Sequence, residues 1–434
     1  MADAALRLTA LAEELLGEKL LVRIRAWDGS ESGPPDAPVL VIRDRRALRR
    51  LLWKPGELGL ARAWVAGELD IEGDLYEALD LMASLIWDRG AEAKDSVHPV
   101  RDPKVRAFAK GLLQLGGPWL PPAPPPEEVR RRTGTLHTKR RDKEAISHHY
   151  DVGNDFYELV LGPSMVYSCA YWEDDGILEG AQRDKLDLVC RKLALNEGDR
   201  LLDVGCGWGS MALHAAREYG ARVTGVTLSV EQAAYARKRI AEEGLTDRIE
   251  IRVQDYRDVR DGPYDAISSI GMAEHVGSVR FREYADDLYA LLKPGGRLLN
   301  HQIARRPEKD ESAYHVDEFI DAYVFPDGEL APVGRTVTTL EEAGFEVRDV
   351  ESIREHYALT LRTWVANLEK YWERAVRMTS PGRARVWRLY MAASALSFEH
   401  NKIGVNQILV VRPAEGGASR MPLRARVWGA SATG

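Results

Sequence analysis

Cysteine is scarce: Cys169, Cys190 and Cys206 are the only three in 434 residues. Their odd number excludes a simple disulfide framework, and their spacing matches no zinc motif. No apolar run approaches the roughly 20 residues that a bilayer crossing needs. Positive charge is not in excess either. The net charge is −7, whereas a nucleic-acid binder is usually basic. The N-terminal stretch MADAALRLTALAEELLGEKL lacks the basic start and apolar centre of a secretory leader. These absences lead to the expectation of a cytoplasmic protein with no nucleic-acid partner and only peripheral contact with a membrane. What remains is a globular balance, 45% hydrophobic and 29% charged, in a chain long enough for two or three domains.

The clearest boundary is Gly116–Pro126, GGPWLPPAPPP, in which six prolines forbid regular structure. Residues 1–115 are expected to form a smaller N-terminal α+β domain. In it VRIRAWDG and PVLVIRD read as strands, with helices near Leu48–Leu52 and Tyr76–Ile86. Residues 116–145 read as a proline-rich, then basic, linker. From 146 to 413 apolar strands alternate with glycine turns and helices: RLLDVG, ARVTGVTLS, IEIRVQDY, YDAISSIG, GGRLLNHQIA and NQILVVRP. That alternation predicts an α/β fold with a doubly wound sheet and ligands at the carboxyl ends of its strands. Residues 414–434 read as a loose tail.

Asp203-Val-Gly205-Cys206-Gly207-Trp208-Gly209 joins one such strand to a helix. Glycines suit this position because the backbone turns sharply and must approach a ligand closely. A nicotinamide enzyme would carry an acidic residue after the second strand to hold the ribose. Here that strand ends Val226-Thr227-Leu228-Ser229, and the acidic residue appears after the third, in Asp255-Tyr256-Arg257-Asp258. An Asp there can accept from the exocyclic amine of adenine, while Asp203 can orient the loop or a ligand amino group. This favours S-adenosylmethionine over NAD, in a class I (Rossmann-like) methyltransferase domain.

Several further segments have a common resemblance. They are His149-Tyr150-Asp151-Val152-Gly153-Asn154-Asp155-Phe156-Tyr157, then Tyr167-Ser168-Cys169-Ala170-Tyr171-Trp172, Glu274-His275-Val276-Gly277 and His356-Tyr357. With the glycine loop they resemble the cyclopropane-fatty-acyl-phospholipid synthase family, which includes the mycolic acid cyclopropane synthases. The resemblance spans about 146 to 413. It implies that Tyr150, Tyr167, Ser168, Gly205, Gly207, Thr227, Gln232, Asp255 and Tyr256 line the cofactor site together with Asp203. It also implies a bicarbonate ion held by Cys169, Glu274, His301, Tyr357 and the backbone of Ile303. The chemistry gives such a cluster a purpose. Methylation of an alkene leaves a carbocation, and an oriented bicarbonate can remove a proton without capturing it. Cys169 reads as a small wall rather than a nucleophile.

The implied substrate is an unsaturated acyl chain on a membrane phospholipid. From Arg101 to Ala145 there are eleven Lys/Arg and five Asp/Glu, a local +6. The stretch from Val105 to Leu113 is basic and amphipathic, which suits anionic headgroups; a solvated linker would read the same way. Two products are open, a cyclopropane or, after a hydride shift, an exocyclic methylene. The run Ser397–Gln407 departs from the ending associated with many cyclopropane synthases and favours the methylene, which implies a flavin-dependent reductase partner. A small-molecule methyltransferase whose N-terminal domain makes a homodimer, and a non-catalytic lipid-binding protein, are the rival readings.

Overall fold

The computed structural model describes residues 3–86, 103–116, 120–129, 138–139, 141–142, 152–173, 176–311 and 314–423. The chain forms two compact units. The first comprises residues 1–131 with 317–324 and 379–396; the second comprises 132–316, 325–378 and 397–434.

In the first unit the strands are β1 (Arg23–Arg25), β2 (Glu31–Ser32), β3 (Val39–Ile42) and β4 (Leu69–Glu72), in the order β2-β1-β3-β4. The stretch Ala63–Asp74, AWVAGELDIEGD, supplies β4 and the end of the helix Glu57–Val65 before it. Ile24, Ile42, Leu48, Leu69, Leu112 and Leu115 form the core. Leu112 and Leu115 come from the helix Pro103–Gly116, and Gly111 on the same helix lets Leu11 approach to where a Cβ would stand 2.5 Å from its methyls. The apolar side of the basic amphipathic stretch is thus packed inside this unit, leaving Lys104, Arg106 and Lys110 at the surface. The proline-rich segment Leu120–Val129 runs without helix or strand and is tied down. The buried Arg50 is bidentate to Glu68 (2.7 and 3.0 Å) and also donates to the Ala123 carbonyl at 2.8 Å. Arg62 is bidentate to Glu128.

The second unit carries β5 (Arg200–Val204), β6 (Arg222–Thr227), β7 (Ile249–Val253), β8 (Tyr264–Ile270), β9 (Leu292–Arg305), β10 (Ala331–Pro332), β11 (Glu346–Ser352) and β12 (Ile403–Val411). Its sheet runs β11-β12-β9-β8-β5-β6-β7, with β10 beside β9. Every neighbouring pair is parallel except those of β12, which is antiparallel to both β9 and β11. This is the expected α/β fold, a class I methyltransferase sheet. The two-residue β10 and the seven-residue β11 were not among the strands the sequence pattern marked. One apolar layer packs the helices Leu178–Leu193, Ser210–Tyr219 and Val230–Glu242 on the sheet, and the other packs Phe281–Leu291 and Val333–Glu342. The strand order reverses between β5 and β8, the kind of switch point at which doubly wound sheets form a ligand crevice at their carboxyl ends.

Among the described residues, no helix is long and apolar enough to cross a membrane. Part of the basic run is ion-paired inside the second unit. Lys139 meets Asp258 and Arg141 meets Asp327, both at 2.6 Å. Arg130–Arg132 and Arg140 lie outside the described residues.

Candidate active site

At the switch point β5 ends in Asp203 and runs into the glycine loop. Gly205 and Gly207 both have positive φ, 75° and 52°. A Cβ on Gly205 would stand 2.4 Å from Met272 Sδ, while at Gly207 it would meet nothing within 4 Å. The loop is therefore a cradle with its backbone exposed toward the crevice. Asp203 is buried; Ser268 Oγ donates to its Oδ1 at 2.7 Å, and its Oδ2 has no hydrogen bond among the described residues. Burial pushes this carboxyl up to about 6. An enclosed acceptor at the start of an open glycine cradle fits the ammonium and ribose end of S-adenosylmethionine. Substituting Gly205 with Ala forces a left-handed conformation on an L-residue and displaces Met272. The affinity for S-adenosylhomocysteine is expected to fall about tenfold by calorimetric titration, because such strain costs roughly 1–2 kcal/mol.

Thr227 and Gln232 join one another across the β6 turn: Thr227 Oγ1 donates to Gln232 Oε1 at 3.0 Å, and Ser229 Oγ caps the helix by accepting from the Gln232 amide. Asp255, at the end of β7, accepts from the Arg257 amide and guanidinium at 2.7–2.9 Å. Those bonds hold its carboxyl below the ordinary range although burial opposes them. A carboxylate has about four acceptor positions, so an adenine amine can still be received. Tyr256 lies edge-on to Tyr284. Tyr150 lies outside the described residues.

The segment Tyr167–Trp172 is docked from two sides. The helix Arg354–Lys370 receives the Ala170 amide on Thr360 Oγ1 (3.2 Å), the Trp172 amide on His356 Nδ1 (2.8 Å) and the Trp172 indole on Thr360 (3.0 Å). From the helix Leu178–Leu193, Gln182 donates to the Ser168 carbonyl and Lys185 to Ser168 Oγ, both at 3.0 Å. Cys169 is fully buried against the Ile353 carbonyl, and burial pushes its thiol up. An un-ionised thiol is a wall, not a nucleophile.

An aromatic row links this segment to the glycine loop. Trp208 donates to Asn154 Oδ1 at 2.8 Å and packs on Tyr157 at 4.6 Å. Tyr157 meets Tyr167 (5.6 Å), Tyr167 meets Trp364 (5.4 Å), Trp364 meets Tyr357 (6.1 Å), and Tyr357 packs on Phe398 (4.7 Å). Trp364 is thus core, while Tyr371 is exposed.

The remaining acid and base sit on β9 and beside it. The Ile303 amide donates to Glu274 Oε1 at 2.7 Å. Glu274 as a residue is half-buried, yet its Oε2 is shut off from solvent and has no hydrogen bond among the described residues. Desolvation therefore raises the carboxyl to about 7, against the opposing effect of the Ile303 amide. A cavity lined by Ala273, Glu274, Phe281, Gln302 and Ile303 adjoins it. His301 is buried, 3.4 Å from Gln407, and burial with the nearby Lys185 and Lys192 charges keeps it neutral.

The structure thus groups Ser168, Cys169, Asp203 and His301 around Lys185, and pairs Glu274 with Ile303. Gln182 and Lys185 escaped the sequence reading. Their signal was present: two polar residues three apart on the apolar face of a helix, where only partnered or functional polar groups belong.

Residues 137–408 match the family model for mycolic acid cyclopropane synthetase. The chain is 44% identical over 415 residues to a protein of Mycobacterium tuberculosis described as a probable fatty acid methyltransferase, covering 93% of this chain and 94% of that one. It is 37% identical over 362 residues to the cyclopropane-fatty-acyl-phospholipid synthase of Escherichia coli, covering 83% and 85%. The structure of mycolic acid cyclopropane synthase CmaA1 with S-adenosylhomocysteine and CTAB superposes with a TM-score of 0.59 at 32% identity, covering 62% of this chain and 97% of the other.

Proposed function

The chain belongs to the mycolic acid cyclopropane synthetase family and is an S-adenosylmethionine-dependent methyltransferase acting on lipid acyl chains; we propose that it alkylates the double bond of an unsaturated acyl chain on a membrane phospholipid. The observation that carries this reading is the Glu274–Ile303 pair. It is an enclosed carboxyl with one oxygen held by a backbone amide and the other without a hydrogen bond among the described residues.

Bound S-adenosylmethionine supplies an electrophilic methyl carbon, which an alkene attacks only weakly. The chain's residues then have three tasks. Asp203, Gly205, Gly207, Thr227, Gln232, Asp255 and Tyr256 hold the cofactor, with Tyr167 and Ser168 from the docked segment. The row Tyr167–Trp364–Tyr357–Phe398 excludes water that would capture a cation. Glu274, oriented by the Ile303 amide, would hold a bicarbonate together with Tyr357, His301 and the Cys169 wall. That ion would supply the base that receives the proton. Glu274 Oε2 fits its O–H because it is an acceptor with no donor among the described residues.

The C-terminal run that departs from the cyclopropane-forming pattern lies at this wall: Phe398 covers Tyr357, and Arg354 binds the Phe398 and Glu399 carbonyls. It supports a methylene product, which a separate reductase would convert to a methyl branch. Incubation with S-adenosylmethionine and oleoyl phospholipid liposomes is expected to give acyl chains with vinylidene proton signals. Cyclopropane ring protons would reassign the product and remove the need for a reductase. Cofactor binding with no carbon added to any lipid would sink the proposal.

A further inference from the structure

Two fully buried lysines on the helix Leu178–Leu193 differ in their company. Lys192 donates to Gln407 Oε1 at 2.8 Å and to the Glu351 carboxylate. Lys185, 1% exposed, donates to the neutral Ser168 Oγ at 3.0 Å, and no carboxylate among the described residues lies within ion-pair distance of it. An ammonium has three donors, and one hydroxyl neither fills them nor cancels the charge. Burying such a charge is unfavourable unless an anion compensates it.

Asp203 shows the complementary pattern, an enclosed carboxyl whose Oδ2 has no donor among the described residues. The two groups influence each other's protonation, with burial holding the lysine at about 8, so it is mostly charged at neutral pH. Both lie beside the crevice, Asp203 on β5 where the glycine loop begins, and Lys185 through Ser168. A ligand end carrying an anion and a cation on one carbon, an α-amino acid zwitterion, would complete both.

We propose that Lys185 is a positioning residue for the cofactor's carboxylate: it fixes the Ser168 hydroxyl as a donor toward that carboxylate and balances its charge from behind. The proposal rests on Ser168 and Asp203 lining the cofactor crevice. It assigns specificity for the amino acid end of the cofactor to a side chain buried one layer behind it.

The test is calorimetric titration of three ligands: S-adenosylhomocysteine, its decarboxylated counterpart that keeps the amine, and 5′-methylthioadenosine. Wild type is expected to prefer S-adenosylhomocysteine to the decarboxylated compound by about 10- to 100-fold, the range of a hydrogen bond to a charged group. In Lys185→Met that ratio is expected to fall to a few-fold, while 5′-methylthioadenosine binds both proteins alike. Ser168→Ala, a smaller change, is expected to lower the ratio as well, and serves should Lys185→Met fail to fold. A wild-type ratio near one overturns the proposal, as does either variant keeping the full ratio. Failure of wild type to bind any of the three would instead remove the crevice assignment itself.

Discussion

Replacing Glu274 with Gln is expected to lower kcat by two to four orders of magnitude on phospholipid liposomes, the usual span for losing general-base catalysis, because the carboxylate orients the bicarbonate that takes the proton. The change keeps the shape of the side chain and an oxygen for the Ile303 amide, so the fold and cofactor affinity are expected to stay as they are. The pH dependence makes the test specific. Desolvation raises this carboxyl from 4.5 to about 7. Between those values the folded protein holds a proton that the unfolded chain releases. The contribution of Glu274 to stability is therefore greatest at low pH and falls as pH rises through that window. Activity that needs the carboxylate runs the opposite way and rises through about 7. In Glu274→Gln that limb is expected to vanish from the profile of kcat/KM, leaving a lower limb near 6 where Asp203 titrates. His301 adds none there, since its proton affinity is well below the ordinary imidazole range. An unchanged profile in the variant would remove Glu274 from the proton path.

Trp364→Ala is expected to destabilise the second unit by about 3–5 kcal/mol, the cost of deleting a large buried aromatic side chain. Trp364 is wholly buried and joins Tyr167, on the docked segment, to Tyr357, on its own helix. Its loss therefore also loosens two groups of the site. Trp364→Phe separates the contributions. The indole N–H is buried without a hydrogen-bond partner among the described residues. Phenylalanine removes that unsatisfied donor while keeping a ring, so it is expected to lose less than half as much. Urea denaturation followed by far-UV circular dichroism checks both; equal losses would mean that ring packing is not what Trp364 supplies.

The glycine loop, the alternation of strands and helices, and the short motifs were legible in the sequence because each is local. A sharp strand-to-helix turn needs closely spaced glycines whatever surrounds it, and a buried parallel strand is an apolar run wherever it lies in the sheet. The same locality made the family resemblance readable from His149–Tyr157 and Tyr167–Trp172. The Glu274–Ile303 bond was half legible: both residues were named, but their direct pairing joins positions 29 apart.

Lys185 was legible only as a polar residue on an apolar helix face; its role was not, because that role depends on Ser168, 17 residues away, and on Asp203 and His301 from two different strands. The basic stretch from Val105 to Leu113 was ambiguous for a related reason. Its pattern is that of an amphipathic helix, and only packing decides which surface its apolar side meets. Here that surface is the core of the first unit. The sequence alone determined the fold class, the cofactor and the chemical family, since these rest on residue types at fixed local spacing. The tertiary structure alone decided which buried charges remain uncompensated and where they converge, since desolvation and distance exist only once the chain is folded.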